Sequence, residues 1–323
     1  MSKKLRVAVI GLGVIGKLHA KIADRTENLV AVCDVKKSAL SDYSDKLQYS
    51  DYISMLEEVK PDVVHVCTPH YLHCEMTVAA LDRGINVLCE KPMCISEAEI
   101  LTVLEAEKRS DAMLGICLQN RYINSCIKAK EYLRTHKPIY ATGQVVWSRD
   151  KAYYAQDAWR GKIATEGGGV LINQAIHTLD ILQWLVGLPE AVTSFTGNMT
   201  LKNVIDVEDT ALIFAKGQTG FSFYATNGSV KDFPTEITVY TEADTIKIIK
   251  DKLFINDRLI VTEQTGSYNI KPSYGNKHDT LIGDFYSCVK CGKHFMIDGT
   301  EGSKSLRIVL SAYKSQGREI FLK

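Results

Sequence analysis

Leu5-Arg6-Val7-Ala8-Val9-Ile10-Gly11-Leu12-Gly13-Val14-Ile15-Gly16 is an apolar run, then glycines spaced Gly-x-Gly-x-x-Gly, leading into a helical pattern over residues 14–25. Each glycine in that spacing has a mechanical task. The first makes a tight turn, the second lets the backbone approach a pyrophosphate, and the third lets the helix pack closely on the strand. A helix starting there offers unpaired N–H groups and a partial positive charge to a diphosphate. The context strengthens the motif: a strand precedes it, a helix follows, and Asp34 closes the next apolar run at the expected offset. A carboxylate at that place accepts hydrogen bonds from a ribose 2′-hydroxyl and repels a 2′-phosphate, which favours NAD. Lys36 and Lys37 follow directly and offer compensation for a phosphate, so NADP is not excluded.

Outward from the fingerprint, short apolar runs (5–10, 29–34, 62–68, 86–89 and 113–118) alternate with helical patterns (14–25, 52–59, 72–83 and 97–108). Runs that are apolar on both faces and separated by helices predict a parallel sheet covered on both sides. The pattern changes near residues 119–123. A helix at 125–135 leads to alternating strands at 139–147, 192–199, 209–214, 220–225, 237–241, 245–249 and 252–255, with helices at 169–186, 277–291 and 301–316. Consecutive strands joined by turns predict a mostly antiparallel sheet. The expected fold class is α/β, with a dinucleotide-binding domain over residues 1–121 and a substrate-binding and oligomerisation domain over 122–323.

Composition narrows the function classes. A net charge of +1 over 323 residues gives no electrostatic reason to expect nucleic acid or an anionic membrane. No apolar run is long enough to span a bilayer. The lysines before Leu5 superficially suggest a leader, but Arg6 and the glycines that follow fit a first strand better. Nine cysteines, scattered through apparent strands and helices, suit a reducing compartment and a cytoplasmic protein. Cys288 and Cys291 have the C-x-x-C spacing with His294 nearby. No second pair completes a tetrahedral set, so they read as thiols on the last turns of an amphipathic helix, and no metal site is expected.

Two further stretches carry chemistry. Glu90-Lys91-Pro92 closes the run at 86–89, where strand ends of an open α/β sheet face a ligand crevice. Cys67-Thr68-Pro69 ends the preceding strand, which brings Thr68 and Pro69 toward the central part of a dinucleotide. His73, in the next helical turn, reads by itself as a packing or surface residue. The second stretch is Glu166-Gly167-Gly168-Gly169-Val170-Leu171-Ile172-Asn173-Gln174-Ala175-Ile176-His177-Thr178-Leu179-Asp180. Its three glycines permit a sharp turn or a close backbone approach. On the helix that follows, Asn173 and His177 are four residues apart and are expected to share a face.

Taken in this order, the fingerprint, Glu90-Lys91-Pro92 and the Gly167–Asp180 motif resemble the glucose–fructose oxidoreductase/inositol dehydrogenase family (Gfo/Idh/MocA) over essentially the whole chain. The resemblance implies an N-terminal Rossmann domain, a C-terminal α/β domain on a large open sheet, last helices near the domain junction, and a cis bond before Pro92. It implies Lys91 and His177 as catalytic residues with Asn173 beside them. It places Gly11, Gly13, Val14, Ile15, Gly16, Asp34, Thr68, Pro69, His73, Glu90, Lys91 and Gln119 along the cofactor, with Trp159 and Arg160 reaching the nicotinamide or the substrate. Arg149, Trp159, Asn173, Tyr274 and His278 are substrate candidates. Many relatives have Asp where this chain has Asn173. Some sugar-modifying members share the Asn.

The implied reaction moves a hydride between a carbinol carbon and nicotinamide C4. His177 is the expected base, since its intrinsic pKa lies nearest working pH, with Lys91 stabilising alkoxide charge. The other assignment makes Lys91 the proton carrier, its pKa lowered by burial. The implied substrate is a sugar, polyol or sugar derivative, and the open sheet face implies a homodimer or homotetramer. An NAD-dependent glycosidase of the same family and a non-catalytic NAD-binding regulator are the rival readings.

Overall fold

The computed structural model describes residues 3–262 and 277–322. In chain order the first part comprises β1 (Arg6–Ile10), α1 (Val14–Thr26), β2 (Asn28–Cys33), α2 (Lys37–Leu40), β3 (Leu47–Tyr49), α3 (Tyr52–Val59), β4 (Val63–Val66), α4 (His73–Leu81), β5 (Asn86–Glu90), α5 (Glu97–Arg109) and β6 (Leu114–Cys117). Then follow α6 (Asn124–Tyr132), β7 (Pro138–Val146), α7 (Lys151–Tyr154), α8 (Ile163–Glu166), α9 (Ile176–Val186), β8 (Ala191–Gly197), β9 (Thr210–Lys216) and β10 (Gly220–Thr226). The rest is β11 (Glu236–Thr241), β12 (Thr245–Ile249), β13 (Lys252–Ile255), β14 (Arg258–Thr262), α10 (His278–Cys291), α11 (Gly299–Ser315) and β15 (Ile320–Phe321).

The chain forms two compact units: Met1–Leu118 with His278–Ser303, and Gln119–Lys277 with Lys304–Lys323. The sequence pattern set its boundary at residue 121, and the first segment of the first unit ends at Leu118. It does not anticipate that 278–303 returns to the first unit. The reason is burial: Phe285 and Phe295 are inaccessible to solvent and stack edge to face 5.1 Å apart. Gly115 leaves room for them, since a Cβ there would lie 2.7 Å from the Phe285 ring. Ile116 N–H donates to Ile297 O at 2.8 Å, giving the edge strand β6 a partner.

In the first unit the six-stranded parallel sheet has the order β3-β2-β1-β4-β5-β6. Strands β1 and β4 run in opposite directions of wind from the centre of this order, and the crevice at their carboxyl ends is where such sheets take ligands. All four residues of β4 and of β6 are buried, His65 among them, as a sheet covered on both faces requires. Helix starts are chemically marked. Asp51 accepts from Ser54 N–H at 2.7 Å, and Ser96 accepts from Glu99 N–H at 3.3 Å while Glu99 accepts from Ile95 N–H at 2.9 Å.

In the second unit a nine-stranded sheet has the order β14-β13-β12-β11-β7-β10-β9-β8-β15. It is antiparallel except between β7 and β10, which pair in parallel from Tyr140↔Gly220 to Val146↔Thr226. The long helical excursion between them permits that pairing, which short hairpins do not. Along β9 and β10 the inner positions Ala211, Ile213, Phe221 and Phe223 are buried while Leu212, Phe214 and Tyr224 are exposed. Helix α9 covers β7 and β11 on the inner side.

Candidate active site

In the first unit the fingerprint loop has the shape its sequence predicts. A Cβ on Gly16 would sit 1.8 Å from Gly11 O, so only glycine lets α1 start this close to the turn. A Cβ on Gly13 would meet nothing within 4 Å. Beside the exposed N-terminal turn of α1, at Val14 and Ile15, this leaves open the space a diphosphate requires. Asp34 is half-buried and fixed against the loop: its carboxylate accepts from Leu12 N–H at 2.7 Å and from Lys36 N–H at 2.8 Å. These residues fit a dinucleotide, and a carboxylate at the end of the second strand is the type of group that accepts from a ribose diol.

The loops after β4 and β5 are tied together by His73. Its Nδ1 lies 2.7 Å from Pro92 O and its Nε2 2.7 Å from Thr68 O, with the ring buried. Burial pushes this imidazole below its ordinary pKa against the pull of the two carbonyls and Glu90. It therefore positions Thr68, Pro69 and the Lys91–Pro92 bond, which is cis. Lys91 is half-buried. Burial alone would raise the Glu90 carboxyl. The His19 hydrogen bond at 3.1 Å and the charges of His19, His278 and Lys91 outweigh it and hold Glu90 well below the usual carboxylate range. His278 also belongs to this unit, buried with Nε2 3.8 Å from Glu90 Oε1. Cys288 and Cys291 lie on the last turns of α10, and the His294 ring bonds Asp298 at 2.9 Å.

In the second unit the Gly167–Asp180 motif differs from the expected plain helix. Val170–Ala175 forms a π-helical turn, and α9 begins only at Ile176. The glycines serve internal packing: a Cβ on Gly169 would lie 1.8 Å from Glu208 O. Glu208 caps the turn, accepting from Gly169 N–H at 2.7 Å, Leu171 N–H at 3.0 Å and the Tyr313 hydroxyl at 2.9 Å. Burial nevertheless pushes its carboxyl up to about 7. Asn173 is buried and its side-chain amide donates to the buried Glu166 carboxylate, which also accepts from Gly161 N–H. This explains the Asn: an Asp would set two carboxylates against each other. His177 sits half-buried on the first turn of α9.

Asp180, from the same motif, is taken up in a buried ion pair. Arg121 grips it with two hydrogen bonds of 2.8 and 2.7 Å, both side chains being buried. Gln119, in the turn just before, is buried as well. Arg149 and Arg160 do converge, on Tyr153: their guanidinium carbons lie 5.2 and 4.9 Å from its ring centroid. Arg160 also donates to the Tyr153 hydroxyl at 2.7 Å and lies 4.6 Å from the centre of the Trp159 ring. Gln174 reaches the same hydroxyl at 3.1 Å, and Asn227 donates to Gln174 at 3.1 Å. Sequence reasoning missed Tyr153, Glu166 and Glu208, whose meaning depends on partners the chain brings back from a distance. Tyr274 lies outside the described residues.

A doubly wound sheet with an open glycine cradle, an acidic strand end and a lysine at the β5 terminus defines a dinucleotide-binding oxidoreductase. Comparison with known proteins makes this specific. The profile of the GFO/IDH/MocA oxidoreductase family, NAD-binding Rossmann fold, matches residues 5–117, and that of the GFO/IDH/MocA C-terminal domain matches residues 137–247. The chain belongs to this family. It is 24% identical over 333 residues to a myo-inositol 2-dehydrogenase of Thermotoga maritima, covering 96% of both chains. It is 31% identical over 205 residues to a D-glucoside 3-dehydrogenase of Escherichia coli, covering 58% of this chain and 56% of that one. Among solved structures it is similar to the WlbA dehydrogenase of Bordetella pertussis in complex with NADH and UDP-GlcNAcA, with TM-score 0.87, 25% identity and 99% of both chains covered. No helix among the described residues is long and apolar enough to cross a membrane.

Proposed function

We propose that the chain is an NAD-dependent dehydrogenase that acts on a CH–OH group of a sugar, polyol or sugar derivative, or on the matching carbonyl in reverse. The observation that carries this reading is the match to both family domains in one chain that keeps Lys91 and His177. Relatives that align along the chain bear the names of inositol dehydrogenases. Bound NAD supplies the hydride acceptor. His177 takes the hydroxyl proton during oxidation, its intrinsic pKa being suited to working pH. Lys91 stabilises the negative charge that develops on oxygen. The Arg149–Tyr153–Arg160 group supplies a stacking surface and hydrogen bonds. Both guanidiniums already face carboxylates, Asp232 at 2.9 Å and Asp157 at 3.3 Å, which favours an uncharged polyol over an anion. Copies of the chain associate through the outer sheet face bearing Phe195, Leu212, Phe214 and Tyr224, and light-scattering mass in solution tests this.

The decisive experiment follows reduction of NAD and of NADP against a panel of inositols, pyranoses and sugar derivatives. Turnover with NAD and a polyol or sugar is expected. Lys91→Ala and His177→Ala are each expected to slow hydride transfer by about 10²–10⁴-fold. Near-normal turnover in both variants would overturn the assignment of roles, and redox-neutral cleavage of a glycoside would overturn the reaction class.

A further inference from the structure

Behind the carboxyl end of the parallel sheet, four buried side chains from four separate elements point their donor atoms at one another. They are His19 from α1, Glu90 from the end of β5, Cys117 from the end of β6 and His278 from the start of α10. Glu90 and Cys117 are register partners on neighbouring strands. His19 Nε2 lies 3.1 Å from Glu90 Oε1 and 3.9 Å from Cys117 Sγ, and His278 Nε2 lies 3.8 Å from Glu90 Oε1. All four donor atoms lie within 4.8 Å of one another. A tetrahedral zinc site, with bonds of about 2.0–2.3 Å, holds its ligand atoms roughly 3.3–3.8 Å apart. The observed set needs only small side-chain adjustments to reach that geometry.

We propose that His19 Nε2, Glu90 Oε1, Cys117 Sγ and His278 Nε2 form a closed, four-coordinate site for a zinc-class divalent cation. The donor set is two imidazoles, one carboxylate and one thiolate. It balances the charge of a divalent ion, with the thiol proton released to solvent on binding. Four protein ligands leave no open position, so the ion is structural.

Two independent observations support the site. His278 is 3% exposed, its Nδ1 has no hydrogen-bond partner among the described residues, and its Nε2 lies 3.8 Å from Glu90 Oε1, beyond hydrogen-bond reach. A buried ring in that condition is costly, and a cation on Nε2 gives it a bond. The second is a chain of outer partners. His19 Nδ1 lies 2.8 Å from His65 Nδ1, and His65 Nε2 lies 2.9 Å from the Tyr286 hydroxyl oxygen. With His19 Nδ1–H donating to His65, and His65 Nε2–H donating to Tyr286, an arriving ion replaces the proton that His19 Nε2 offers Glu90, and the Nε2 lone pair then faces the ion. Metal-bound histidines are commonly oriented in this way.

The test uses the full-length protein, stripped with a chelator and titrated with Zn²⁺ and Co²⁺ salts. The expected result is one equivalent bound per chain, with a near-ultraviolet thiolate-to-cobalt absorption band. Cys117→Ser abolishes the band, while the double variant Cys288→Ser/Cys291→Ser keeps it. His65→Gln weakens Zn²⁺ binding by about 10–100-fold. X-ray absorption of the zinc-loaded wild type needs no variant to fold. It is expected to show one sulfur at about 2.3 Å. The proposal is overturned if the stripped protein retains neither ion at micromolar concentration. It is equally overturned if the band survives Cys117→Ser, or if absorption shows two sulfurs, which would move the ion to Cys288 and Cys291.

Discussion

Asn173 shows how the identity of a single residue follows from a local physical reason. Its amide donates to the buried Glu166 carboxylate, and that carboxylate also satisfies Gly161 N–H. Asn173→Asp would bring two carboxylates together out of water, where like charges cannot both ionise cheaply. The variant is expected to lose on the order of 2 kcal/mol of stability at pH 8. Part of this returns at pH 5, where one proton is shared between the two groups. Thermal unfolding at both pH values measures it, and equal losses would contradict the reading. At this scale motif spacing singled out Gly13, Gly16, Asp34 and Lys91, the residues proposed to line the cofactor and substrate. It did not disclose what holds them. His73 read as a surface or packing histidine; it is buried, with its two ring nitrogens 2.7 Å from Thr68 O and from Pro92 O, nineteen residues away. No periodicity carries information about such a partner.

The helix bearing Asn173 and His177 begins as a π turn because Glu208, arriving from another part of the unit, collects the N–H groups of Gly169 and Leu171. The sequence pattern of that segment is apolar and helical, so the wider turn was invisible in it. A buried carboxyl raised to about 7 keeps its proton above the unfolded value of 4.5. Its contribution is therefore fully present below pH 4.5 and is lost as pH rises through about 7. Wild type is expected to lose up to about 1 kcal/mol per pH unit relative to Glu208→Gln across that window. Denaturant unfolding of the two proteins from pH 4.5 to 7.5 checks the slope. A few residues further along, Asp180 anchors α9 to Arg121. Arg121→Met leaves a buried carboxylate uncompensated and is expected to cost about 3–5 kcal/mol. Arg121→Met with Asp180→Leu is expected to recover most of that loss. Chemical denaturation midpoints of the single and double variants decide it.

Across the whole molecule, the long elements were legible and the short edges were not. The five principal strands of the first sheet and the helices between them follow from apolar runs and periodicity. Strand β3 has three residues, none buried, and β14 is exposed almost throughout although it carries Leu259-Ile260-Val261. The return of 278–303 to the first unit was equally hidden, because an amphipathic helix does not say which surface its apolar face covers. Without that segment, Gly115 faces a void where Phe285 and Phe295 belong, and Ile116 N–H has lost its acceptor. A fragment of residues 1–121 is expected to bind a hydrophobic dye and unfold without cooperativity. A chain in which a short linker adds residues 278–303 is expected to unfold cooperatively. Calorimetry of both chains tests this, and a cooperative transition in the shorter one would refute it. The same feature has a consequence during synthesis. The ribosome delivers the first unit's last piece only after residues 119–277, most of the second unit, have been made. At 5–20 residues per second, that is a delay of roughly 10–30 s. Throughout it the nascent β6 edge stays uncovered, an opening for a holding chaperone to occupy until α10 emerges from the exit tunnel.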